Sequence, residues 1–219
     1  MPALSEWVNK LIREDACGRF ALDTYEQEIE HFGGPGGMRA AEMLFAADSQ
    51  AVADLLELLQ SHQCGLDRRL LAVMTVDTLL DGFGLGMEAR FRWCRGQVRS
   101  RHAASRIYRE WKVTLRTLLT DADLVQGVRG ASEIAGILER LRGAAGTFRQ
   151  TLADLESASE LTRTASEVYP SVVHLHLNRL LGGDAAGESE VIALLWRARE
   201  GLYRSAARVK GHDYSGRKS

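Results

Sequence analysis

The stretch YPSVVHLHLNRLLGG, residues 169–183, constrains the fold more than any other. It is largely apolar, yet it carries His174, His176, Asn178 and Arg179. Tyr169-Pro170 suits a helix start, because a proline at the first helical position loses nothing by lacking its N–H. Gly182-Gly183 is a stop signal. The spacing predicts a helix of about three turns over 170–181. Such an apolar helix must be packed against others. The expected architecture is therefore a helical bundle over residues 38–208, with this helix at its centre. Each polar group inside it needs a hydrogen-bond partner, since an unpaired one costs about 1–3 kcal/mol.

Positions two apart on a helix point to nearly opposite sides. His174 and His176 therefore cannot hold one metal ion as an i, i+4 pair would. His174 shares a face with Asn178, and His176 sits nearer Arg179 and Leu180. A neutral imidazole held by an amide can accept a proton near neutral pH, so His174 is the functional candidate. For His176, a packed and satisfied polar group is as good a reading as a functional one.

Elsewhere the pattern is also helical. Leu4, Trp7, Val8, Leu11 and Ile12 recur at helical spacing over 4–13. Gly33-Gly34-Pro35-Gly36-Gly37 is a break. Two helices are predicted after it, one over 38–47 and one beginning with Asp48 or Ser49 as its cap. Further helices are predicted over 66–81, 87–119, 131–158 and 188–208, with 210–219 as a frayed tail. Glu188 and Glu190 fall in the first turn of the last helix, the end a carboxylate prefers. Phe20 and Leu22 can share one face of a short extended segment, so a small or residual sheet is expected near 16–32. The predicted class is α+β, mainly α, in a single domain over 1–219.

The net charge of −1 gives no overall attraction to nucleic acid or to an anionic membrane. No apolar run approaches 18 residues, so no membrane span is expected, and the N-terminus lacks the apolar core of a secretory signal. The three cysteines, Cys17, Cys64 and Cys94, include no CxxC pair. Reduced thiols in the cytoplasm are the simplest reading, with no structural zinc and no cofactor. One tract is basic and aromatic together: Arg90, Arg92, Arg95, Arg99, Arg101, Arg106, Arg109, Lys112 and Arg116 alternate with Phe91, Trp93, Tyr108 and Trp111. Such a tract can bind RNA or an acidic peptide. Its arginines are spread around the helix, however, so the solvated-face reading is preferred, with some arginines meeting other protein groups.

Three stretches together resemble the elimination domain of lantibiotic dehydratases and its stand-alone relatives in thiopeptide biosynthesis. LDTYEQEIEHFGG is similar to that family's tyrosine–glutamate–glutamate run ending in Tyr/Phe-Gly-Gly. AAEMLFAADSQAV resembles its acidic helix ending in Asp-Ser, and SVVHLHLNRLLG its His-Met-His-x-Asn-Arg-Leu-x-Gly segment. The resemblance spans the chain and corresponds to about the C-terminal two-thirds of the family domain.

That resemblance implies a reaction. A partner enzyme glutamylates Ser or Thr of a precursor peptide from glutamyl-tRNA, and the elimination domain then expels glutamate, leaving dehydroalanine or dehydrobutyrine. A base must take the α-proton and cations must hold the departing glutamate. His174 matches the first histidine of the motif and is the implied proton acceptor, with Arg179 beside it. Asn178, His176, Tyr25, Gln27 and His31 are the implied substrate-binding positions. The family run carries arginines where this chain has Gln27 and His31, and the upstream His-Leu-Arg-Leu-Arg strand has no counterpart here. Two alternatives follow. One is a pyridine synthase of the same fold, joining two dehydroalanines in a formal [4+2] cycloaddition. The other is a non-catalytic or split subunit that binds a leader peptide or a partner enzyme. The implied partners are the precursor peptide and a glutamylating enzyme, with no direct tRNA contact and with homo- or hetero-oligomers allowed.

Overall fold

A computed structural model of the chain describes residues 2–15, 26–98, 105–120 and 127–215. Among them are eight α-helices: α1 (Pro2–Arg13), α2 (Pro35–Gln60), α3 (Arg68–Gly82), α4 (Met87–Gln97), α5 (Ser105–Thr120), α6 (Ala131–Ser157), α7 (Ala165–Leu181) and α8 (Ala185–Ser215). A 3₁₀ turn, Ile29–Phe32, precedes α2.

The expected small sheet is not seen: among the described residues there is no strand. The region given to it divides in two. Residues 16–25, with Phe20 and Leu22, lie outside the described residues, and the remainder is loop and the 3₁₀ turn. Phe32 is buried here by helices, meeting Phe45 of α2 edge to face at 5.3 Å between ring centres. The fold is therefore mainly α, as the helical periodicity implied.

The centre of the bundle is α3 rather than α7. Every residue from Leu70 to Leu80 is buried, so this helix is enclosed on all sides and needs no amphipathic pattern. Asp67 starts it, its carboxylate accepting the Arg69 N–H at 2.7 Å. Around it stand α6, α7, α8 and the shorter α4 and α5, with α2 packed on α6 and α7. Gly82 lets α6 approach: a β-carbon there would come within 2.5 Å of the Ala145 methyl.

Helix α2 is one continuous element where two were predicted. Its entry uses Gly33 and Gly34, both at positive φ, followed by Pro35 as the first helical residue. A β-carbon on Gly37 would sit 1.8 Å from the Phe32 carbonyl oxygen, so the turn and helix pack backbone to backbone. Asp48, expected to start a helix, lies in the middle of α2 and is 2% exposed.

Helix α7 begins a turn earlier than predicted. Its start is set by Thr164 and Glu167: the Glu167 carboxylate accepts the Thr164 N–H at 2.9 Å and the Thr164 hydroxyl at 2.8 Å. Those bonds, the backbone one foremost, hold the Glu167 carboxyl below its ordinary range. Pro170 therefore lies inside the helix. Gly182 ends α7 in the left-handed conformation, as the Gly-Gly pair indicated. Helix α8 continues past its expected end near 208 to Ser215, and 216–219 of the expected tail lie outside the described residues.

Candidate functional site

Two polar clusters flank α7, one on each side. On one side His174 is exposed, its side chain 53% accessible. Its Nδ1 lies 2.9 and 3.0 Å from the two carboxylate oxygens of Glu188 on α8. Its Nε2 lies 3.0 Å from the Asn178 amide nitrogen, one turn along α7. Asp184 positions the start of α8 by accepting the N–H groups of Ala186 and Gly187 at 3.1 and 3.0 Å. That places Glu188 in the first turn, facing the α7 histidine.

His174 and Glu188 border a cleft of about 160 Å³ between α4, α7 and α8. Trp93, Pro170, Val173 and Ile192 form apolar walls, and Gln97 and Ser189 add polar edges. Among the described residues, no Lys or Arg lines it. The cleft thus offers one imidazole, one carboxylate and neutral donors against an apolar wall.

On the other side His176 is completely buried. Its Nδ1 lies 2.6 Å from Asp48 Oδ1 of α2, and its Nε2 lies 2.7 Å from the Thr75 hydroxyl of α3. The hydroxyl also reaches the Ala72 carbonyl at 3.1 Å. Arg179 donates from Nη1 to the other Asp48 oxygen at 2.8 Å, and its guanidinium sits 4.8 Å over the Phe45 ring. Asp48 is thus shared by an imidazole and a guanidinium, both from α7. The chain of Asp48, His176 and Thr75 has the order of a hydrolase triad, but Thr75 is wholly enclosed, so no substrate can reach its hydroxyl. Its physical role is to tie α2, α3 and α7 together.

The residues singled out from the sequence are thus split. His174 stands at the cleft with Asn178 bonded to its ring, while His176 and Arg179 belong to the buried cluster. His174 and Arg179 are five residues apart, about 140° around the helix. Gln27 is exposed and donates to Glu42 at 2.7 Å, His31 is exposed on the 3₁₀ turn, and Tyr25 lies outside the described residues. Glu188, Asp48 and Thr75 were not picked out as site residues. Asp48 had a signal in the Asp-Ser stretch and was read as a cap.

The basic tract is partly absorbed inside the protein. Arg90 reaches Asp77 at 3.0 Å and Asp81 at 3.2 Å. Arg199 of α8 grips Asp77 with two nitrogens, Nε to Oδ1 at 2.7 Å and Nη2 to Oδ2. Arg116 donates to Ser205 at 3.0 Å. Arg106, Arg109 and Lys112 remain exposed on α5, and Arg99 and Arg101 lie outside the described residues. Among the described residues no group of three or more His, Cys, Asp or Glu is placed to hold a metal ion. Nor is any helix there long and apolar enough to cross a membrane.

A family model described as lantibiotic biosynthesis dehydratase C-term matches residues 1–199. The chain belongs to this family. Among curated relatives it is similar to the subtilin biosynthesis protein SpaB of Bacillus subtilis, with 23% identity over 205 residues. The match takes in 92% of this chain but 19% of that protein, so the chain spans about a fifth of its relative's length. No solved structure matches the chain. Both polar clusters and all of α7 lie inside the segment matched by the dehydratase C-terminal family.

Proposed function

We propose that this chain acts in the cytoplasm in the maturation of a ribosomally made lanthipeptide or thiopeptide precursor, eliminating glutamate from glutamylated Ser or Thr. In this reading His174 Nε2 takes the α-proton. The electrons of that C–H bond form the Cα–Cβ double bond, and glutamate departs with the electrons of the Cβ–O bond. Dehydroalanine or dehydrobutyrine remains in the peptide. The observation that carries the reading is the half-exposed imidazole of His174, held by a carboxylate and an amide at the edge of a cleft. The partners are the precursor peptide and a separate glutamylating enzyme, and the family membership supports that setting.

One observation favours a second reading. Among the described residues no Lys or Arg lines the cleft, so none of them grips a departing carboxylate there, and Glu188 would repel one. An uncharged substrate, such as a peptide already carrying two dehydroalanines for a [4+2] ring closure, meets no such repulsion. The two are separated by feeding each substrate to the purified chain and reading masses. Elimination predicts loss of glutamate from the glutamylated peptide, with or without the glutamylating partner. Cycloaddition predicts no change there and a macrocycle from the dehydrated, azole-containing peptide. No product from either substrate would refute both and leave a binding subunit. His174→Ala should abolish whichever activity is found.

A further inference from the structure

We infer that Glu188 is a positioning residue that fixes His174 in its Nδ1–H form, while Asn178 covers the Nε2 lone pair until a peptide displaces it. The inference rests on the reading of His174 as a proton acceptor and adds how that acceptor is held and shielded.

The hydrogen-bond inventory carries it. Glu188 is an acceptor on both oxygens and both lie within 3.0 Å of Nδ1, so Nδ1 must carry a proton. In the neutral ring Nε2 is then an acceptor. The Asn178 nitrogen 3.0 Å away is a donor, and the pair is complementary. Free neutral imidazole side chains favour the opposite form, with the proton on Nε2, so this arrangement is imposed by its neighbours. Glu188 is rooted by Asp184 at the start of α8 and is well covered, its side chain 24% exposed, whereas the ring it holds is 53% exposed. A firmly held acceptor therefore orients a ring that is itself half exposed. Asn178 is a neutral, one-point contact on Nε2. A peptide group entering the cleft can replace it without uncovering a charge.

Ring nitrogen shifts from long-range proton–nitrogen spectra report directly which nitrogen carries the proton. The chain has six histidines, and His174 is assigned by the signal lost in His174→Gln. The unmodified protein at mildly alkaline pH should show the His174 proton on Nδ1. Glu188→Ala should move it to Nε2, and Glu188→Gln, whose carbonyl still accepts, should leave it on Nδ1. That rescue distinguishes orientation from simple loss of packing. Asn178→Ala should keep the Nδ1–H form and speed acylation of His174 by diethyl pyrocarbonate several-fold, since that reagent is attacked by a free ring nitrogen. A wild-type His174 with its proton on Nε2 overturns the inference, as does an unchanged form in Glu188→Ala. If the spectra come out as stated but no peptide is processed, the device stands and the reaction proposed above fails.

Discussion

The two histidines of α7 lie two residues apart and live in different media. His174 sits at the surface with a carboxylate and an amide, free to exchange partners. His176 is sealed, and each of its nitrogens is committed to a group from another helix. The contrast teaches that one helix can present an accessible imidazole and a sealed one from nearly identical sequence context. The helical period alone divides the roles.

The largest effect that would test this contrast is at the buried ring. His176→Ala leaves Asp48 enclosed with Arg179 as its sole partner and leaves the Thr75 hydroxyl without a ring nitrogen. Breaking a buried pair from one side costs about 3–5 kcal/mol, so the urea midpoint should fall steeply. For stability this change should cost far more than His174→Ala, whose ring is half exposed. Next is Thr75→Val, which keeps the shape and removes the hydroxyl. Its cost should be about 1–3 kcal/mol, because His176 Nε2 is then buried without a partner. His174→Ala should change stability by no more than about 0.5 kcal/mol, as expected of an exposed position. Equal destabilisation by His174→Ala and His176→Ala would erase the contrast.

Two smaller effects sharpen it. Cys94 is fully buried, and burial first, then the Asp77 carboxylate, pushes its thiol well above the ordinary range. In the folded protein iodoacetamide should therefore alkylate the partly exposed Cys64 and spare Cys94, read by peptide mass mapping. At the start of α7, Glu167 has its carboxyl held low by Thr164. A lowered folded value means its contribution is complete above the ordinary carboxylate range and fades as pH falls through the lowered one. Glu167→Gln should flatten that acid limb of the stability curve and leave the neutral region of the curve with its slope unchanged.

Much of the helical layout was legible. The predicted 131–158 and 66–81 segments match α6 and α3 closely, the first from its helical periodicity and the second from a long, largely apolar run ended by the glycines from Gly82. The start of α7 has its signal in the sequence, since Thr164-Ala-Ser-Glu167 is a capping box, but Pro170 a turn later offers a competing start signal. The division of α2 at Asp48 was wrong for a different reason. A mid-helix aspartate looks like a cap unless its partners are known, and those partners lie 128 and 131 residues away. Glu188 was read for its place at a helix start, while its bond to His174 depends on how α7 and α8 pack. The face argument for His174 and Asn178 needed only the helical repeat and is matched by their contact. The partners of His176 needed the tertiary fold.

Asp48 on α2 and the His176–Arg179 pair on α7 form one electrical unit written in two distant parts of the chain. Anyone building chimaeras from related domains must move both parts together. A hybrid that takes the first from one parent and the second from another, where either parent differs at these positions, inherits a lone ion in its interior.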